Sequence, residues 1–150
     1  FENTPDTRFG AGRCSPGFEL FHQKSPVIRS MAEELTEIMR QAVASEIFVC
    51  ESFFNIMTTG GGGTIPHHHV KEYDRHLGIG KQKYSLVYYL SVGDQNCSEP
   101  GILTLRKPDE EIIPHEGMIV IIPAIRPHFA TYNGQKDRVM IGANFYAINT

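Results

Sequence analysis

The sequence predicts a mainly β chain, a jelly roll with an N-terminal helix packed on one sheet. Three observations lead there. About seven or eight short apolar segments of strand composition succeed one another between residues 47 and 148. Gly, Pro and Asn-Gly clusters separate them at regular spacing, as in sandwiches and barrels. Helical periodicity is confined to residues 25–45. The length of 150 residues fits one domain, read as 1–150, with an irregular lead-in over 1–24, a helix over 25–45 and a strand core over 47–148.

The lead-in is punctuated by Pro5, Gly10, Gly12, Pro16 and Gly17 and has no basic start followed by an apolar core, so no signal peptide is read there. In the helix, Ser25 can cap and Pro26 suits the first helical position, where its missing N–H would be unpaired anyway. Val27, Met31, Leu35, Ile38, Met39 and Ala42 recur at three- and four-residue steps, while Glu33, Glu34, Glu37, Arg40 and Gln41 fall largely between them. Ile47 to Met57, rich in Phe, Val and Ile, reads as a strand. Gly60 to Gly63 read as a loop, Thr64 to Val70 as extended, and residues 71–83 as a polar loop. Further strands are Tyr84 to Val92, Ile102 to Leu105, Met118 to Ile122, His128 to Tyr132 and Val139 to Ile148. Turns fall at Gly93 to Gly101, Pro108, Gly117, Pro123 and Asn133-Gly134.

Composition narrows the function. The formal charge is −3, from 14 Lys+Arg against 17 Asp+Glu, and the basic residues are scattered, which argues against a nucleic-acid partner. No apolar run approaches the ~20 residues of a membrane helix, so no membrane partner is expected. Cys14, Cys50 and Cys97 are too few and too far apart for a disulfide framework or a zinc ribbon. They read as packed thiols in a reducing, intracellular compartment.

The chemistry-bearing residues begin with His67-His68-His69. In an extended segment His67 and His69 share one face and His68 points away, which makes half of a metal site. An isolated triplet is also consistent with an incidental run. His128 opens a late strand after a Pro-bounded turn, and a jelly roll brings a late strand beside an early one. It can therefore complete a three-imidazole face, or it can be structural. Imidazole suits iron, zinc, copper and nickel alike. Arg138 lies across the next turn. Pointing inward, it is a buried cation in need of an anion, which a bound carboxylate would supply to its planar fork. Pointing outward, it faces solvent or pairs with Asp109, Glu110 or Glu111.

His67-x-His69, Tyr88-Tyr89-Leu90, Gly101-Ile102-Leu103-Thr104-Leu105, Pro114-x-x-Gly117 with the run to Pro123, His128 and Arg138, in this order, resemble the iron(II)/2-oxoglutarate-dependent dioxygenases. The nearest group is the prolyl-hydroxylase-like one with its uncharacterised bacterial and phage relatives, and Phe54-Asn55-Ile56-Met57 before Pro66 resembles those relatives too. The resemblance runs from about Glu51 to Ala147 and implies a double-stranded β-helix. It also implies Fe(II) on His67, His69 and His128, with 2-oxoglutarate as cosubstrate. Arg138 would meet the distal carboxylate, Tyr89 would hydrogen-bond it, and Asn144 matches an Asn on the last strand. No catalytic residue beyond the metal ligands is implied. O₂ and an unidentified protein, peptide or small molecule would be the other partners. Two positions depart from the pattern. His69 stands where most of the superfamily has Asp or Glu, for which Glu72 or Asp74 could substitute, and Met140 stands where a small hydroxylated residue is usual. The alternative is a cupin-type metal protein, an enzyme or binding module without 2-oxoglutarate. Gly117, Pro123 and His128 match its second motif, but Ile125 and Tyr132 do not, and it has no fixed role for Arg138 or Tyr89. Tyr73 and His76 read either as contacts of a substrate at the mouth or as part of a solvated loop.

Overall fold

The computed structural model describes residues 12–59 and 61–148, with the backbone of 4–5. In chain order the elements are β1 (Thr4–Pro5), β2 (Arg13–Cys14), α1 (Pro26–Val43), β3 (Glu46–Met57), β4 (Gly62–Gly63), α2 (Glu72–His76), β5 (Lys83–Ser91), β6 (Leu103–Leu105), β7 (Glu110–Ile112), β8 (Ile119–Pro123), β9 (His128–Phe129), β10 (Thr131–Tyr132) and β11 (Arg138–Ile148). One antiparallel sheet has the order β1-β2-β3-β11-β5-β8. A second layer is made of β7-β6-β9 and of β10-β4, joined by single bridges between His67 and His128 and between Pro100 and Tyr132. From β3 onward the chain crosses repeatedly between the layers: β4 lies in the second, β5 in the first, β6 and β7 in the second, β8 in the first, β9 and β10 in the second, β11 in the first. That alternation is a jelly roll, the double-stranded β-helix.

β11 is the spine of the large sheet, paired along its length with β3 on one side and β5 on the other. Its odd positions Ile141, Ala143 and Phe145 join Phe54 and Leu86 in a core covered by Ile28, Leu35 and Met39 of α1. Its even positions Arg138, Met140 and Asn144 face the space between the layers. Direct cross-strand neighbours carry the same parity onto the flanking strands, in the rows Glu51–Asn144–Ser85, Phe53–Gly142–Val87 and Asn55–Met140–Tyr89. Gly142 has no side chain because the Phe53 ring crosses it: a Cβ there would lie 2.4 Å from Phe53 Cζ. The β3 register slips at Asn144/Phe145, leaving Cys50 as the extra residue of a bulge, with Sγ 3.2 Å from the Asn144 carbonyl.

Several boundaries and faces differ from the sequence reading, each for a physical reason. The helix buries Ile28, Ala32, Leu35 and Met39, whereas Val27 is 76% exposed. Ile28 and Val27 are separated by about 100° around the axis, and Ile28 sits on the sharper stripe. Ser25 makes no side-chain cap hydrogen bond, and the helix closes on Ala44 in a left-handed conformation. The glycine run is partly a strand, because Gly63 packs where a Cβ would come 2.9 Å from the Ala130 carbonyl oxygen; Gly60 lies outside the described residues. The segment read as a polar loop over 71–83 contains α2 and a 3-10 turn over Gly80–Gln82. Asp74 caps α2 by accepting the Lys71 N–H at 2.7 Å and is anchored by a buried ion pair with Lys83 at 2.9 Å. A tertiary partner of this kind leaves no periodic trace. Polar β7 also has no periodic signal, and the irregular lead-in includes β2 and a 3-10 turn over Leu20–His22; Pro5 and Gly10 of the lead-in lie outside the described residues apart from the β1 backbone. No helix among the described residues is long and apolar enough to cross a membrane.

The apolar stripe of α1 completes the core on the outer face of the large sheet, so truncating it destabilises the fold. Leu35→Ala should cost about 2–5 kcal/mol in urea unfolding, as for other buried Leu truncations. Val27→Ala should stay within about 0.5 kcal/mol, as at other solvated positions. Equal losses would place the packing stripe elsewhere.

Candidate metal centre

The backbone mounts the three histidines. His67 and His128 are bridge partners, each N–H donating to the other's carbonyl, at 3.1 and 2.9 Å. Two residues on, His69 N–H donates to the Ala124 carbonyl at 2.8 Å. Alternation then turns both early imidazoles towards His128, and one ring nitrogen from each residue lies within 4.8 Å of the others. The rings sit 4.5–5.0 Å apart between centroids. His68 points elsewhere, with Nε2 3.3 Å from an Arg75 Nη2.

The hydrogen bonds around the triad define its tautomers. His67 Nδ1 is 2.7 Å from the Ile65 carbonyl, and His128 Nδ1 is 3.0 Å from the Arg126 carbonyl. A carbonyl only accepts, so both Nδ1 atoms carry the proton and both Nε2 atoms offer a lone pair to the centre. His69 Nε2 lies 3.2 Å from His128 Nε2. Burial, then the neighbouring His128 and His67, push the His69 pKa down to about 3. Burial also lowers that of His128. Both are therefore neutral imidazoles near pH 7, the form that ligates a metal. Among the described residues this triad is the one convergent group of metal-ligating side chains. Asp74 is not part of it: its oxygens accept from Lys71 N–H, Lys83 Nζ and the Tyr146 hydroxyl. Burial raises its pKa, but those hydrogen bonds outweigh it and hold the carboxylate below its ordinary range. Glu72 is exposed on α2, so neither carboxylate replaces His69.

The triad opens on a cavity of ≈ 230 Å³ between the layers, which Arg138, Tyr89 and Asn144 also line. Arg138 is 1% exposed. Its guanidinium lies over the Tyr89 ring, 5.2 Å from the centroid. Nη2 is 3.4 Å from the Gly101 carbonyl, Nη1 is 3.6 Å from Met57 Sδ, and Nε has no partner. The carboxylates that could have neutralised it from the surface are engaged elsewhere, Asp109 with Arg106 and Glu110 with Arg126. Burial lowers the Arg138 pKa, but a guanidinium keeps its charge in proteins. Gly101, at φ +83°, lets the backbone reach the guanidinium, since a Cβ there would lie 2.6 Å from Nε. The cavity thus holds a buried cation with an unused donor, a site shaped for an anion.

Asn144 sits six residues further along β11 on the same face, at the histidine end of the cavity. Its Oδ1 accepts from Ser85 Oγ at 2.6 Å, and its Nδ2 donates to Glu51 Oε2 at 2.6 Å and faces His69 Nδ1 at 3.4 Å. The sequence reading missed Glu51 and Ser85. Their signal was parity: each is a polar residue on the inward row of its strand, two residues before the apolar Phe53 or Val87. It also missed Cys14, Ser15 and Phe18 of the lead-in, which reach the cavity wall. Tyr73 and His76 do not line it; Tyr73 instead lies beside Lys83 Nζ, 5.5 Å from the ring centroid.

No family model matches the sequence, and no curated protein matches it. Solved structures do. HygX from Streptomyces hygroscopicus, with nickel and 2-oxoglutarate bound, superposes at TM-score 0.73 with 14% identity, covering 98% of this chain and 74% of that one. An oxidoreductase of the 2OG-Fe(II) oxygenase family from Burkholderia pseudomallei gives 0.68 with 12% identity, covering 99% and 73%. The fold is that of the 2OG-Fe(II) oxygenases. A Pseudomonas putida prolyl-4-hydroxylase gives 0.66 with 17% identity, covering 99% and 78%, in keeping with the bacterial and prolyl-hydroxylase resemblance of the sequence.

The depressed histidines set a pH dependence for the metal-free protein. His69 is neutral in the fold down to about pH 3, whereas the unfolded chain takes up its proton near pH 6.5. The unfolded state therefore binds more protons inside this window. The stabilisation is fully present above about pH 6.5 and is lost as pH falls, by up to ~1.4 kcal/mol per pH unit for each such histidine. Urea midpoints of metal-free protein should fall between pH 7 and pH 5, and His69→Gln should flatten that fall. An equally steep fall in the variant would show that His69 is not the group responsible.

Proposed function

We propose that the chain holds iron(II) on His67, His69 and His128, binds 2-oxoglutarate through Arg138 and Tyr89, and is a dioxygenase that hydroxylates an unidentified protein, peptide or small molecule. The observation that carries this reading is the buried guanidinium of Arg138, met by no carboxylate among the described residues, in the same cavity as three converging imidazoles. The likeness to an oxidoreductase of the 2OG-Fe(II) oxygenase family, and to HygX with nickel and 2-oxoglutarate bound, supports it.

The donor set fits the group. Three imidazole nitrogens suit a first-row divalent ion and leave positions for a chelating 2-oxo acid and O₂. Iron bound there would supply the redox chemistry that couples decarboxylation of 2-oxoglutarate to hydroxylation of a C–H bond, with succinate and CO₂ as co-products. The chain's own residues do the rest. The Arg138 guanidinium, which lines the cavity, would pair with the distal carboxylate and fix which end of the cosubstrate faces the triad. The Tyr89 ring walls the guanidinium and excludes water beside it. Met140, next to both in the sheet, offers no hydroxyl, so Arg138 carries more of the carboxylate's binding than a residue helped by a neighbouring Ser or Thr. The carbonyls of Ile65 and Arg126 hold His67 and His128 in the tautomer that presents Nε2. One domain over 1–150, in a reducing, intracellular compartment, belongs to this reading.

Anaerobic calorimetry with Fe(II) and then 2-oxoglutarate tests it. His128→Ala should lose stoichiometric metal while His68→Ala keeps it. Arg138→Gln should keep metal and weaken 2-oxoglutarate by ~2–4 kcal/mol, the loss of a buried charge-assisted partner. Metal binding with no 2-oxoglutarate binding in the wild type would favour the cupin-type alternative, and no metal binding at all would sink both.

A further inference from the structure

Two of the three histidines are supported in the usual way for a metal ligand, with the distal N–H donating to a carbonyl; the third is not. His69 Nδ1 faces a donor. The orientation of the Asn144 amide decides this, and its neighbours fix it. Glu51 Oε2 is 2.6 Å from one end, and a carboxylate only accepts, so that end is Nδ2. The Ser85 hydroxyl donates to the other end, Oδ1, at 2.6 Å. The second hydrogen of Nδ2 is then directed at His69 Nδ1, 3.4 Å away. Nδ1 must offer a lone pair, so the His69 proton is on Nε2. That Nε2–H meets His128 Nε2 at 3.2 Å, which is free to accept because its own ring proton is spent on the Arg126 carbonyl. Every donor has an acceptor along the chain from Asn144 through His69 and His128 to Arg126.

We propose that Glu51 and Asn144 form a positioning pair that holds His69 in the Nε2–H tautomer and thereby weakens metal binding at this ligand. To ligate through Nε2, His69 must move its proton to Nδ1, where it meets the Asn144 N–H instead of an acceptor. The pair therefore opposes the ligating form, while the carbonyls behind His67 and His128 favour it. The proposal rests on the triad being a metal site, but its first test needs no metal.

Nitrogen-15 NMR of histidine-labelled, metal-free wild type at pH 7.5 should show His69 protonated at Nε2, and His67 and His128 protonated at Nδ1. The double variant Glu51→Gln/Asn144→Asp keeps the net charge and the hydrogen bond between the two side chains, but presents a carboxylate to His69 Nδ1. It should move His69 to the Nδ1–H form and raise cobalt(II) affinity, measured by calorimetry with the metal alone, by about tenfold or more, the scale of outer partners on metal-bound histidines. A pair with only a structural role predicts the wild-type tautomer in the variant and unchanged or weaker cobalt binding, and that result overturns the proposal. So does an Nδ1–H His69 in the wild type, which decides the matter even if the double variant does not fold. Failure of wild type to bind cobalt would strike the metal-site reading and leave the tautomer result standing.

Discussion

The structure depends on one strand being buried on both faces. β11 runs through the middle of the large sheet, and its two-residue alternation sends Ile141, Ala143 and Phe145 against α1 and sends Arg138, Met140 and Asn144 into the space between the layers. A one-residue slip would place the guanidinium in the apolar core and the aliphatic side chains in the cavity. The packing of α1 on the sheet is therefore also what aims the polar row. The Cys50 bulge belongs to the same device: it absorbs a residue on β3 opposite Asn144 and Phe145 and lets both neighbouring rows keep their faces.

Charge is distributed along the cavity in a way that suits a small dianion chelating a metal. One end holds three imidazoles, of which His69 and His128 are held neutral by burial and mutual proximity. The other end holds a buried guanidinium that no carboxylate among the described residues meets. A divalent ion and Arg138 together would make the interior strongly positive, with Glu51 the carboxylate on its wall. A ligand with one carboxylate at the metal and another near Arg138 relieves both ends at once, which a monoanion cannot do. Imidazole donors bring no negative charge, so a divalent ion bound there would leave its charge for other ligands to balance.

Behind His69, a second buried network holds α2 in place. Asp74 and Lys83 are fully buried and paired, Tyr146 donates to Asp74, and Lys83 Nζ lies 5.2 Å from the Tyr146 ring centroid. Burial and the hydrogen bond to Asp74 both keep the Tyr146 phenol protonated. Removing one partner would strand a buried charge, so this pair acts less as a source of stability than as a constraint on where the segment after the histidines can go.

The sequence by itself determined the fold class and the helix and marked three histidines as candidates, because each rests on a local rule: strand alternation, helical periodicity, and the donor chemistry of imidazole. It also singled out Arg138, since an inward cation at that strand position needs an anion. What it could not decide was direction and partnership. Whether Arg138 faced inward depended on the packing of α1 on the other face of β11. Whether Asp74 was a ligand depended on Lys83, nine residues away and across a turn. The places of Glu51, Ser85 and Asn144 depended on cross-strand register between segments up to 93 residues apart. Local patterns set which side chains can do chemistry, but only the closing of the two layers brings His67 and His69 to His128 and buries the Arg138 guanidinium in the same cavity.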